Sequence, residues 1–148
     1  LTGTQFKLSS YTLPVHDLDE ALGFYRNVLG FQVSQDSEPE GPPLTSVSPP
    51  GQPDVRIFLT SPAADPDLTP ADRRAIESLM GKGLMGRLAF TTDDCDATFQ
   101  RVEAAGAEVL QEPISRAGGV RDCAFLDPSG NVVRFTGPRG ASSAVRGR

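Results

Sequence analysis

"DLDEALGFYRNVLGFQV", residues 17–33, reads as a helix that halts at a glycine and turns straight into a strand. Leu18, Ala21, Leu22, Tyr25, Val28 and Leu29 recur at three- and four-residue spacing, which lines apolar side chains along one helical face and predicts its burial. Asp17 stands where an N-cap belongs, with Glu20 three residues on, and both carboxylates suit the positive end of the helix dipole. Gly30 supplies the left-handed exit. Upstream, "FKLSSYTLPV" is strand-like; downstream come "FQVSQ", a proline-rich turn, "LTSVS", another turn and "DVRIFLT". The order is βαβββ.

A similar run, "DDCDATFQRVEAAGAEV", recurs at residues 93–109. It follows the strand-like "GLMGRLAFTT"; Asp93 or Asp94 caps a helix whose stripe is Cys95, Phe99, Val102 and Ala105, and Gly106 ends it before "AEVLQE". "GVRDCAFL" and "NVVRFT" then flank the reverse turn "DPSG", forming a hairpin. Asp17 and Asp94 are 77 positions apart, Gly30 and Gly106 are 76, so the unit is repeated with a one-residue contraction in the helix. The expected fold is α+β: a first module over residues 1–65, a linker over 66–82, a second module over 83–137 and a flexible tail over 138–148. Within the linker, Thr69 as cap, Pro70 in the first turn and Asp72 at capping-box distance predict a short helix. A four-stranded sheet covered by one helix leaves its other face free, so the two modules are expected to form a cupped mixed sheet around a central cavity.

Composition narrows what such a cavity serves. The 148 residues carry 14 basic and 19 acidic side chains, a net charge of -5, and no basic stripe able to neutralise a phosphate backbone, which argues against nucleic acid. No apolar run reaches the roughly 20 residues of a membrane span, and no secretory leader is evident, so a cytoplasmic location is expected. Cys95 and Cys123 can make at most one disulfide and lack the C-x-x-C spacing of a zinc site; free thiols are expected.

The pairing of "VHDLDEALGFYRNVLGF" near the start with "GVRDCAFLDPSGNVVRF" near the end resembles the vicinal oxygen chelate superfamily, which includes glyoxalases, bleomycin-resistance proteins and extradiol dioxygenases. The resemblance spans about residues 6–137. It implies the tandem βαβββ fold, frequent pairing of chains as homodimers and, in catalytic members, one divalent metal held by His and Glu from four strands, polarising two adjacent substrate oxygens. In this chain the four corresponding positions are Ser10, Phe58, Arg87 and Arg134. A protonated serine is a weak ligand, phenylalanine has no donor atom and arginine is a fixed cation. Shifting each position by one residue finds no better set. His16, the sole histidine, precedes the first helix cap in a turn, where an exposed imidazole is expected. Neither a metal nor a cofactor is therefore expected.

Alternation along the strands directs Arg87 and Arg134 into the cavity. Pairing Leu126 with Asn131 in the terminal hairpin places Cys123 opposite Arg134 and Arg121 opposite Thr136, so that Arg121, Cys123, Arg134 and Thr136 share a face. The candidate ligand-binding set is then Ser10, Thr12, Phe58, Arg87, Arg121, Cys123 and Arg134. Guanidiniums beside apolar side chains suit an amphipathic ligand bearing a carboxylate, phosphate or other anion. Alternatively, Asp122, Glu108 or Asp127 neutralises these arginines and they only brace the sheet. Cys123 reads either as a cavity-lining thiol or as a small buried hydrophobe, and Cys95 as core. Three functions remain: a metal-free small-molecule-binding protein, a lyase, isomerase or dioxygenase of the same superfamily, or a diverged domain used for protein association.

Overall fold

The computed structural model describes residues 5–36 and 44–138. The proline-rich turn expected at residues 37–43 and the tail from residue 139 lie outside the described residues. The first module runs β1 (Ser10–Pro14), α1 (Leu18–Leu22), β2 (Gln32–Asp36), β3 (Leu44–Ser48) and β4 (Arg56–Thr60). After α2 (Pro70–Gly81), the second runs β5 (Arg87–Thr91), α3 (Cys95–Ala104), β6 (Glu108–Ser115), β7 (Val120–Leu126) and β8 (Val132–Pro138). The two four-stranded sheets share one topology, β1-β4-β3-β2 and β5-β8-β7-β6. In each, the first strand lies parallel to the fourth and the remaining neighbours are antiparallel. The fold is α+β, two tandem βαβββ modules.

Local chemistry sets the helix ends. Asp17 accepts the Glu20 N–H at 2.9 Å, and Asp94, the cap of α3, accepts that of Ala97 at 3.1 Å. Thr69 and Asp72 make a reciprocal capping box on α2, both bonds 3.1 Å. Gly30 (φ 76°) and Gly106 (φ 100°) take the left-handed exits of their helices.

The first helix departs from the periodic expectation. After Leu22 it widens into a π-helix over Gly23–Val28. The widened turns rotate the apolar face: Phe24 (5% exposed) joins Ala21, Leu22, Tyr25 and Leu29 inside, whereas Leu18 is 36% exposed and Val28 only half-buried. In α3, Cys95, Phe99 and Val102 are buried as the stripe predicts, while Ala105 caps the helix and is exposed.

The helix-covered faces of both sheets share a single core. An unbroken series of rings crosses it, Phe24, Tyr25, Phe31, Phe90, Phe135, Phe125 and Phe99, with successive centroids 4.9–6.2 Å apart. Edge-to-face and offset contacts of this kind each contribute about 0.5–1.5 kcal/mol beyond burial.

Polar groups close one side of the seam between the modules. Tyr25, fully buried on the first helix, donates its hydroxyl to Asp127 Oδ2 at 2.7 Å. Asp127 Oδ1 accepts the N–H groups of Ser129 and Asn131 at 2.8 and 2.9 Å. Asn131 Nδ2 donates to Asp127 Oδ2 and to the Pro14 carbonyl, each at 2.9 Å, and the His16 N–H reaches Ser129 Oγ at 2.9 Å. The β7–β8 turn is thus clipped onto the end of β1. Gly86 permits this approach, because a Cβ there would stand 2.1 Å from Asn131 Oδ1 and 2.7 Å from Leu13 Cδ1.

Candidate functional site

Each sheet keeps a free face opposite its helix. In the first module, β-register aligns Thr12, Phe58, Ser46 and Ser34 across the four strands, with Ser10 beside Arg56. Ser10, Thr12 and Phe58 therefore lie together, as alternation predicts. Arg56, which alternation also places there two residues before Phe58, was not among the expected site residues. Its guanidinium lies 4.8 Å from the centroid of the Phe58 ring, donates to Ser46 Oγ at 3.1 Å and pairs with Asp36.

The second free face carries Arg87, Ala89 and Thr91 from β5, Arg134 and Thr136 from β8, and Asp122 from β7. Arg134 donates to Gln111 Oε1 at 3.1 Å and to Asp122 at 3.4 Å. Arg116 donates to Asp122 Oδ2 at 3.0 Å, and Gln111 Nε2 to Asp122 Oδ1 at 2.6 Å. Burial pushes the Asp122 carboxyl upward, but the hydrogen bonds from Gln111 and Arg116 and the two guanidinium charges outweigh it and hold Asp122 below the usual carboxylate range. The bracing of Arg134 by Asp122, weighed from the sequence as an alternative, is the arrangement found. Arg87 is exposed and makes no ion pair among the described residues.

Arg121 and Cys123 do not belong to this face. Leu126 pairs with Val132 rather than Asn131, so Cys123 stands opposite Phe135 and Ala124 opposite Arg134. The Asp127 N–H donates to the Asn131 carbonyl at 2.9 Å, closing a three-residue loop, with Gly130 at φ 86°. A slip of one residue turns every side chain of a strand to the other face. Arg121 instead reaches α3, donating to both carboxylate oxygens of Asp96 at 2.9 and 3.0 Å, and bonds Ser115 Oγ at 3.0 Å. Cys123 is fully buried under α3; burial first, and the neighbouring Cys95, push its thiol up to about 12. Cys95, equally buried, is also raised by burial, so neither sulfur supplies a thiolate at neutral pH.

Among the described residues, Ser10, Thr12 and Arg87, expected along the wall of the central cavity, are exposed. The apolar surface of each sheet is spent on its own helix, and polar free faces have little drive to pack. Among the described residues, two clefts open along the seam on the side away from the Asp127 clip. One, about 950 Å³, is lined by Tyr11, Ile57, Arg87, Leu88 and Phe90 beneath the β3–β4 turn. The other, about 540 Å³, lies between that turn and α3; the two share Pro49, Gly51, Gln52, Ala89 and Phe90. Ser10, Thr12, Phe58 and Arg134 line neither.

The donor set at Ser10, Phe58, Arg87 and Arg134 does not fit the divalent metal of catalytic relatives. No group of three or more His, Cys, Asp or Glu able to hold a metal ion occurs among the described residues. His16 is exposed, and its backbone N–H donates to Ser129 Oγ. Among the described residues no helix is long and apolar enough to cross a membrane.

This doubled βαβββ architecture agrees with a family profile, Glyoxalase/Bleomycin resistance protein/Dioxygenase superfamily, which matches residues 7–135; the chain belongs to that superfamily. A probable lactoylglutathione lyase of Vibrio parahaemolyticus is 30% identical over 136 residues, 91% of this chain and 93% of that protein. Among solved structures, UcmS2 superposes with a TM-score of 0.81 at 29% identity, covering 90% of this chain and 98% of that one. TnmS3, an antibiotic-binding protein from Streptomyces sp. CB03234, superposes with a TM-score of 0.67 at 27% identity, covering 90% and 97%.

Proposed function

We propose that this protein binds a small amphipathic or anionic molecule against the free faces of its sheets, without a metal, as a sequestering rather than a catalytic member of its superfamily. The observation that carries this reading is the chemistry of the four metal-ligand positions: a hydroxyl, a phenyl ring and two guanidiniums. Phe58 and Ser10 offer ring contact and a hydroxyl in the first module, Arg87 and Arg134 positive charge in the second. The likeness to the antibiotic-binding TnmS3 supports the same reading.

A second copy of the chain completes the cup in this proposal. Phe6 and Leu8, in the segment before β1, are 88% and 68% exposed and offer an apolar flank for a partner to cover. Sedimentation of the wild type and of Phe6→Ser/Leu8→Ser reads this directly: the wild type is expected to be a dimer and the variant a monomer.

The binding test is thermal shift against a panel of anionic polycyclic natural products. A ligand at 100 times its dissociation constant adds roughly 2.7 kcal/mol of stability. The shift is expected to shrink in Arg87→Glu and Arg134→Gln. The lyase relative favours a catalytic alternative, and stoichiometric divalent metal retained by protein purified without chelator would move the assignment there.

A further inference from the structure

The 540 Å³ cleft lies between the β3–β4 turn and α3, away from Ser10, Phe58 and Arg134, and its volume falls within the range of about 300–1,000 Å³ that small-molecule pockets span. Its floor is aromatic: Phe31 and Phe90 meet edge-to-face at 5.3 Å, and Phe135 stacks on Phe90 at 5.8 Å. Pro49 and its neighbours in the β3–β4 turn form the facing wall. Polar groups gather at the α3 side, where the Thr98 hydroxyl lies 2.6 Å from that of Thr92 and Arg101 projects one turn further along the helix.

Charge then selects among apolar occupants. Arg101 is the single charged residue lining the cleft; no carboxylate lines it, and Arg101 makes no ion pair among the described residues. On a chain of net charge -5, a guanidinium lining the same cleft as phenyl rings and hydroxyls is suited to one anionic group carried on a flat apolar body. Aliphatic acids would satisfy Arg101 but not the rings, and neutral aromatics the rings but not Arg101. We propose that this cleft is a second small-molecule site, distinct from the one at Ser10, Phe58 and Arg134, which takes a planar aromatic carboxylate.

The test uses 2-naphthoate as probe and 2-naphthamide as its neutral counterpart, titrated into the ¹⁵N-labelled full chain. Saturable binding of naphthoate is expected to move the amides of Gln52, Thr98 and Arg101, with naphthamide about tenfold weaker, as the loss of one charge-assisted hydrogen bond implies. Arg101→Gln is expected to bring naphthoate down to the naphthamide level, and Thr98→Trp, which fills the cleft, to abolish both. Arg134→Gln on the free face is expected to leave naphthoate affinity unchanged. The proposal is overturned if naphthoate fails to saturate, if Arg101→Gln binds it as well as the wild type does, or if the moved amides map to the free faces instead.

Discussion

On one side of the inter-module seam, the β7–β8 turn of the second module reaches the first helix, and Tyr25, Asp127 and Asn131 fill the space with hydrogen bonds. On the other side, the β3–β4 turn of the first module stands over α3, and a cleft remains. By the 76-residue spacing that relates Gly30 to Gly106, Asp127 corresponds to Gly51; on the helices the Phe31 N–H bonds the Tyr25 carbonyl as the Ala107 N–H bonds that of Val102, so Tyr25 answers to the buried Val102, and its neighbour Arg101 faces the cleft. One seam therefore presents an acceptor to a buried phenol, and the other, among the described residues, no carboxylate to an exposed guanidinium. Duplication gave two equivalent seams; divergence left one sealed and one open. Once a single seam fixes the modules against each other, the second is free to serve another purpose.

The largest expected effect comes from unsealing the closed seam. Asp127→Ala leaves the Tyr25 hydroxyl, two backbone N–H groups and the Asn131 amide without their acceptor in a buried site. Each orphaned donor costs about 1–3 kcal/mol, with partial relief from local relaxation, so a loss of about 3–5 kcal/mol is expected. Urea unfolding measures it. A loss below about 1 kcal/mol would show that the shared core, not this clip, holds the modules together, and the contrast between the seams would lose its energetic meaning.

The comparison also explains what was legible in the sequence. Asp17, Gly30, Asp94, Gly106 and Thr69 announce helix ends through contacts made within a few residues, and the repeat follows from them. The shared face of Ser10, Thr12 and Phe58 follows from strand alternation, which also placed Arg56 there, two residues before Phe58. The hairpin faces were misread because "DPSG" was taken as a four-residue connection. With Gly130 in the left-handed region and Asp127 paired to Asn131, the loop has three residues, and that difference moved Arg121 and Cys123 to the helix side. The closed seam left no local trace, since Tyr25 and Asp127 are 102 positions apart and Tyr25 reads as one more apolar residue on its stripe. Nor does "GFYRNV" carry a signal for its π-turns. The open seam was equally hidden, because a cleft is defined by what distant residues fail to fill.

A smaller and pH-dependent effect sharpens the same contrast. Burial first, then the Asp127 charge, push the Tyr25 hydroxyl far above its ordinary value near 10. The unfolded chain releases this proton above pH 10 while the folded chain retains it, so the raised group leaves stability intact below about pH 10 and erodes it above, by about 1.4 kcal/mol per pH unit. Tyr25→Phe is expected to cost about 1–2 kcal/mol at neutral pH through the lost hydrogen bond, yet to lack that part of the alkaline decline. Urea midpoints at pH 8 and pH 10.5 for both proteins check it; parallel declines would place the alkaline sensitivity elsewhere than the closed seam.

The smallest effect is expected at the open seam. Arg101 is exposed, bonds no carboxylate among the described residues and caps nothing, so Arg101→Gln removes no interaction that folding requires. Its stability change is expected within about 0.5 kcal/mol of zero. The two seams would then differ severalfold in their contribution to stability, with the costly residue in the sealed seam and the neutral one in the cleft. A marked destabilisation by Arg101→Gln would mean that the guanidinium braces the second module, and the open seam would then be a structural joint with a gap in it. Neutrality toward folding combined with a loss of naphthoate affinity separates these cases, because a residue that only braces the fold moves the first measurement and one that meets a ligand moves the second.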